Sequence, residues 1–106
     1  MATTTKALFR GAATTTTTTL LYTVPAATTT VVTDIVVTNT AAATGTFTMS
    51  LDDGSGNAIK IAEQVTVAAN DSTVIQIKQV LAATRTIKGG ASATTINFHI
   101  SGVELT

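Results

Sequence analysis

Residues 44–53 read TGTFTMSLDD, and the fold turns on how they are read. Phe47, Met49 and Leu51 fall on one side of an extended chain and Thr46, Thr48 and Ser50 on the other. That period of two is what a half-buried antiparallel strand requires. Residues 94–105, TTINFHISGVEL, repeat it with Ile96, Phe98 and Ile100 inward and Asn97, His99 and Ser101 outward, then run on through Gly102 to Val103 and Leu105 as one long strand. Residues 30–40, TVVTDIVVTNT, alternate less cleanly. Val31, Ile35 and Val37 share one face and Val32 and Val36 the other, which predicts a central strand covered on both sides.

Working outward, shorter strands are expected at KALFR (6–10), TTLLYTV (18–24), NAIKIAEQV (57–65), STVIQIK (72–78) and RTIKG (85–89). Turn chemistry separates them: DDGSGN (52–57), AAND (68–71) and GGAS (89–92) supply glycine and asparagine, which accept positive φ. QVLAAT (79–84) allows one helical turn, and no helical period persists beyond that. Strands at this spacing predict an all-β chain forming a single antiparallel β-sandwich of about eight strands, jelly-roll or immunoglobulin-like in type.

With 106 residues there is room for one domain and one modest core. Hydrophobic residues make up 44% of the chain and charged residues 11%, so core material is present while the usual charged coat is thin. Six basic and six acidic side chains cancel, and scattered lysines and arginines make no basic footprint for a nucleic acid. The absence of cysteine removes disulfides, thiolate metal sites and cysteine nucleophiles. Residues 1–21 lack the apolar block of a secretory leader, threonine runs disfavour an organellar presequence, and nowhere do 18 apolar residues run together. A chain made in a cytoplasm, with no membrane partner, is expected.

The polarity that remains is mostly threonine, with 26 copies, and GAATTTTTTLLYTVPAATTTVV (11–32) concentrates it. Threonine is β-branched and suits a pleated surface, so the run reads as loop turning into strand rather than as disorder. The expected organisation is residues 1–17 as an N-terminal arm or first strand and 18–106 as the sandwich. An extended arm would meet a partner through Lys6, Leu8, Phe9, Arg10, Thr14, Thr16 and Thr18, pairing main chain and alternate side chains without the desolvation cost of charge.

Catalytic, metal and cofactor sites are not expected. His99 is the sole histidine, on the outward face of a strand, and a serine–histidine–aspartate set needs a proximity that the sequence does not place. Asp52 and Asp53 adjoin Gly54 in a turn, where aspartate serves the backbone. Counting from Asp52 puts Glu63 at the twelfth position of a calcium loop, but Gly54 and Gly56 fall where side-chain oxygens belong and Asn57 where glycine does. Neither DDGSGN nor IKGGAS has the spacing of a phosphate-cradling loop. Arg85 and Lys88, with Lys78 nearby, read as a solvated basic rim.

The run LLYTVPAATTTVVTDIVVTNTAAATGTFTMSL (20–51) resembles the opening of small β-sandwich structural proteins of tailed-bacteriophage virions. The matching elements are Leu21 to Pro25, a small-residue and threonine turn at Ala26 to Thr30, and a Val/Ile strand from Val31 to Thr40 that ends in Asn-Thr. VAANDSTVI (67–75) and FHISGVEL (98–105) extend it more loosely. The resemblance implies a capsid decoration (cement) protein, or a tail, neck or fibre component, without enzymatic activity. It also implies binding to the major capsid protein or other virion proteins, and homo-oligomerisation with a trimer favoured. A thin charged coat is compatible with packing among copies. A threonine-surfaced carbohydrate- or ice-binding module is the alternative from another class, although no fixed Thr-x-Thr repeat occurs and aromatics are few. An enzyme ranks last.

Overall fold

The computed structural model describes residues 2–52 and 57–106. Eight strands follow one another: β1 (Thr3–Ala12), β2 (Leu20–Thr23), β3 (Thr29–Asn39), β4 (Gly45–Asp52), β5 (Ala58–Val67), β6 (Ser72–Leu81), β7 (Thr86–Ala91) and β8 (Ile96–Leu105). They build two four-stranded antiparallel sheets, ordered β1-β8-β3-β6 and β2-β7-β4-β5. The pairs β4–β5, β3–β6, β2–β7 and β1–β8 are nested about one centre and alternate between the sheets. Rolling that ribbon up brings β8 against β3 and β7 against β4, which is a jelly roll. Of the two sandwich types expected, this is the one formed. The turn expected at 52–57 lies outside the described residues except for Asp52 and Asn57.

The inner faces follow the alternation. Phe47, Met49 and Leu51 are 1%, 0% and 7% exposed, and Ile96, Phe98 and Ile100 are fully buried. The rings of Phe47 and Phe98 meet edge-to-face across the two sheets, centroids 6.1 Å apart at 68°. Thr48 and Ser50 point away from this core yet are buried too, because β4 is flanked by β5 and β7 and Thr48 Oγ1 accepts the Gln64 N–H at 3.1 Å. Asn39, at the end of β3, is also buried. Its amide donates to the Ala43 and Val67 carbonyls and its oxygen accepts from Ala41 N–H, so one side chain fixes the passage from β3 to β4.

Bulges correct part of the expected facing. The register of β3 against both neighbours shifts between Val32 and Asp34. An extra residue reverses the parity, so Val32 joins Ile35 and Val37 in the core while Val31 lies half-buried on the outer face with Val36. Alternation counted straight through the segment had paired Val31 with Ile35. In β8 no extra residue intervenes, and Gly102 and Glu104, rather than Val103 and Leu105, continue the inner row.

One expected turn and one merely allowed helical turn take other roles. GGAS begins inside β7, where Gly89 and Gly90 are strand residues. A Cβ on Gly90 would stand 2.3 Å from the Thr16 carbonyl oxygen, so glycine here admits a crossing chain instead of a reversal. QVLAAT forms no helical turn: β6 runs to Leu81, and Thr84 at φ 70° belongs to the turn before β7.

Two substitutions test this packing by chemical denaturation. Phe98→Ala, which empties the centre of the sandwich, is expected to lower unfolding free energy by about 3–5 kcal/mol. Gly90→Ala, which forces the Thr16 backbone away, is expected to cost about 1–3 kcal/mol; no measurable loss would mean that the threonine loop does not lie on β7.

Candidate interaction surfaces

The N-terminal residues singled out in the sequence divide into two groups. β1 pairs with β8 from Thr3↔Leu105 to Ala12↔Asn97 and forms one edge of its sheet. A register shift between Ala7 and Phe9 turns both Leu8 and Phe9 inward: Leu8 is 7% exposed and Phe9 packs against the same core. Lys6 and Arg10 are exposed, as are Thr14, Thr16 and Thr18 in the connection to β2. Exposed contact chemistry is therefore confined to the two cations and the threonines.

The threonine run is ordered by its own hydroxyls. Thr14 Oγ1 bonds the Thr16 carbonyl at 3.1 Å and meets Thr19 Oγ1, while Thr19 Oγ1 donates to the Thr16 carbonyl at 2.9 Å. Its backbone caps the free side of β7, with Ala91 N–H donating to the Thr14 carbonyl and Gly89 N–H to the Thr19 carbonyl. Between those two bonds the chain arches over Gly90. Thr15 and Thr17 line a polar cavity of about 270 Å³ with Thr46, Gln64 and Ser92. Short polar side chains that satisfy their own backbone keep this crossing ordered without a hydrophobic anchor.

A polar clasp joins the sheets where β8 ends. The Tyr22 hydroxyl, on β2, reaches Thr30 Oγ1 at 2.9 Å and donates to Glu104 Oε2, and Lys6 Nζ stands 3.4 Å from that carboxylate. Burial pushes the Tyr22 phenol up to about 12, with the hydrogen bond and negative charge of Glu104 adding to the rise and Thr30 opposing it. Sequence reasoning missed this group, since Tyr22 and Glu104 are 82 residues apart. The available signal was an acid at core parity in INFHISGVEL.

The remaining candidates are scattered. His99 is exposed on the outer face of β8, beside Arg10 on β1 and Val36 on β3. Asp52 lies 3.9 Å from Arg85, which ties one member of the expected basic rim to the end of β4; Asp53 lies outside the described residues. Lys60 pairs with Glu63. Among the described residues, no three acidic or histidine side chains gather as metal ligands, and no helix is long and apolar enough to cross a membrane. Exposed Leu20, Ile59, Ile61, Val74 and Val80 lie along edge strands β2, β5 and β6.

Neither a protein-family model nor a curated protein matches the sequence. Among solved structures, the chain is similar to one from infectious bursal disease virus, Gx strain (TM-score 0.51, 12% identity), over 97% of this chain and 31% of that one. It is likewise similar to a chain of the T13 IBDV viral particle (TM-score 0.50, 9% identity), over 97% of this chain and 30% of that one. A chain of the capsid of Helicobacter pylori bacteriophage KHP30 matches with TM-score 0.49 and 7% identity over 99% and 94% of the two chains. The present chain thus spans under a third of the length of the first two. At these identities the likeness to these chains of virus structures is one of fold.

Tyr22 is the only tyrosine and tryptophan is absent, so tyrosinate absorbance reports this one phenol. Its titration midpoint is expected near pH 12 instead of the ordinary 10. The unfolded chain releases the proton first, so stability is whole below about pH 10 and is lost as pH rises through about 12. Tyr22→Phe should flatten that alkaline slope; an unchanged slope, or a midpoint at the ordinary value, would mean the clasp is open.

Proposed function

We propose that the protein is a non-enzymatic structural component of a tailed-bacteriophage virion: a capsid decoration (cement) protein that binds the major capsid protein and neighbouring copies of itself as a trimer. The observation that carries the reading is the jelly-roll order β1-β8-β3-β6 over β2-β7-β4-β5, the fold that the chain has in common with chains of viral particles. The resemblance of residues 20–51 to small sandwich proteins of tailed-phage virions supports it. The surface is consistent with packing among copies, with 11% charged residues, formal net charge zero and many exposed threonine hydroxyls.

The contact with the shell is made by the β1 edge and the threonine crossing. Lys6 and Arg10 supply charge at the edge, while Thr14, Thr16 and Thr18 supply an uncharged polar surface that a partner covers at low desolvation cost. Leu8 and Phe9 hold that edge on its own core. Removal of residues 1–17 would strip β8 of one of its two partners, so point substitutions are the cleaner probe.

Purified particles carrying a labelled copy test the proposal. Label is expected on the head at fixed stoichiometry, and Thr16→Glu with Thr18→Glu should weaken rebinding to depleted particles about tenfold, through repulsion and desolvation, with the melting temperature unchanged. Label on the tail would replace the decoration role with a tail or fibre one. Absence from particles would refute the virion reading.

A further inference from the structure

The two margins of the sandwich differ. Along one, β1 and β2 are joined by the Tyr22–Glu104–Lys6 clasp, and the β1 bulge turns Leu8 and Phe9 onto the core. Along the other, β5 and β6 follow one another in the chain, and each is the last strand of its own sheet. That margin is open and apolar. Four of the five exposed large hydrophobic side chains among the described residues lie on its strands: Ile59 and Ile61 on β5, Val74 and Val80 on β6. Behind them Val65, Ile75 and Ile77 are only partly buried against the core.

An added strand suits neither edge. The register of β5 against β4 shifts twice, with Gln64 at φ 46°, and β6 gains a residue against β3 between Gln76 and Gln79, so neither edge offers the straight ladder that strand addition needs. A charged partner finds little to bind. Lys60 and Glu63 pair with one another, which leaves Lys78 as the one net charge on these two strands, on a stem long enough to keep its head in water. What matches the margin is another apolar margin, and zero formal net charge sets no repulsion between copies of the chain.

We propose that the β5–β6 margin closes the trimer, three copies turning it toward a common axis that runs along the strands. The inference rests on the trimer put forward above and assigns its surface. Because β5 and β6 belong to different sheets, this arrangement sets β5 of each copy beside β6 of the next, a heterologous contact that closes into a ring. With sheets about 10 Å apart, three margins stand about 3 Å from the axis, against about 5 Å for four. The isoleucines of three copies then fill the centre. Two margins laid flat together would leave Val74 and Val80, which point from the outer face of β6, in water, whereas in a ring of three that face leans over β5 of the neighbour and covers them. The β1 edge and the threonine crossing, on the opposite margin, stay free for the shell.

Sedimentation equilibrium of the full chain tests the contact. The expected mass is that of three copies. Ile59→Asp and Val80→Asp should each raise the dissociation constant about tenfold or more, because a charge enters an apolar contact, and each should keep a cooperative unfolding transition, since both side chains are exposed. Thr16→Glu with Thr18→Glu, in the connection from β1 to β2, should leave the mass of three unaltered. If Ile59→Asp fails to fold, Val80→Asp, at the most exposed of the four positions, decides the question. A trimer whose mass neither substitution reduces would overturn the assigned surface alone, and a monomer or dimer of the original chain would overturn the trimer with it. Absence from particles, alongside a trimer that these substitutions dissociate, would refute the virion reading and uphold this contact.

Discussion

Everything in this molecule depends on two aromatic rings meeting between two sheets. Phe47 projects from β4 as the first of three alternating apolar residues and Phe98 from β8 as the middle one of three, each fully enclosed. Burying a side chain of that size contributes about 1.5–3 kcal/mol, and the edge-to-face geometry adds to it. The parity of β4 and β8 is thereby locked, because a slip of one residue would turn the rings outward and bring Thr48 or His99 into the core. With those two strands set, β7 and β5 are fixed beside β4, and β1 and β3 beside β8.

The periphery is held by polar devices. Asn39 satisfies three backbone groups at the exit of β3, the threonine crossing bonds to itself and to β7, and Tyr22 joins Thr30, Glu104 and Lys6 across the sheets. Among the described residues no buried side-chain nitrogen or oxygen lacks a partner. Each device does by hydrogen bonding what a small core cannot do by area, which is to hold loops and edges in register. A protein so arranged keeps few charges for its surface. Its outer faces differ in relief, hydroxyl density and the placement of single charges.

The sheet architecture was legible because burial on one side of a strand writes itself as strict alternation, and TGTFTMSLDD and TTINFHISGVEL carry it without interruption. Strand order was not, since pairs such as β1–β8 join residues nearly the whole chain apart. The facing of Val31 and Val32 was misread because a β-bulge inserts one residue without a glycine to mark it. Gly89 and Gly90 were misread for the opposite reason: the sequence cannot tell a glycine that turns from one that lets another strand approach. At the N-terminus, residue type separated cations and threonines from apolar side chains, but only the bulge between Ala7 and Phe9 shows that Leu8 and Phe9 both belong to the core.

Proton–proton proximity in the nuclear magnetic resonance spectrum of the folded chain bears most directly on the rolled sandwich. The account predicts cross-peaks between the Phe47 and Phe98 rings, together with cross-strand contacts joining Thr3 to Leu105 and Phe47 to Ala91. Rings that touch only residues of their own sequential hairpins, with no contact between the first and last strands, would contradict it.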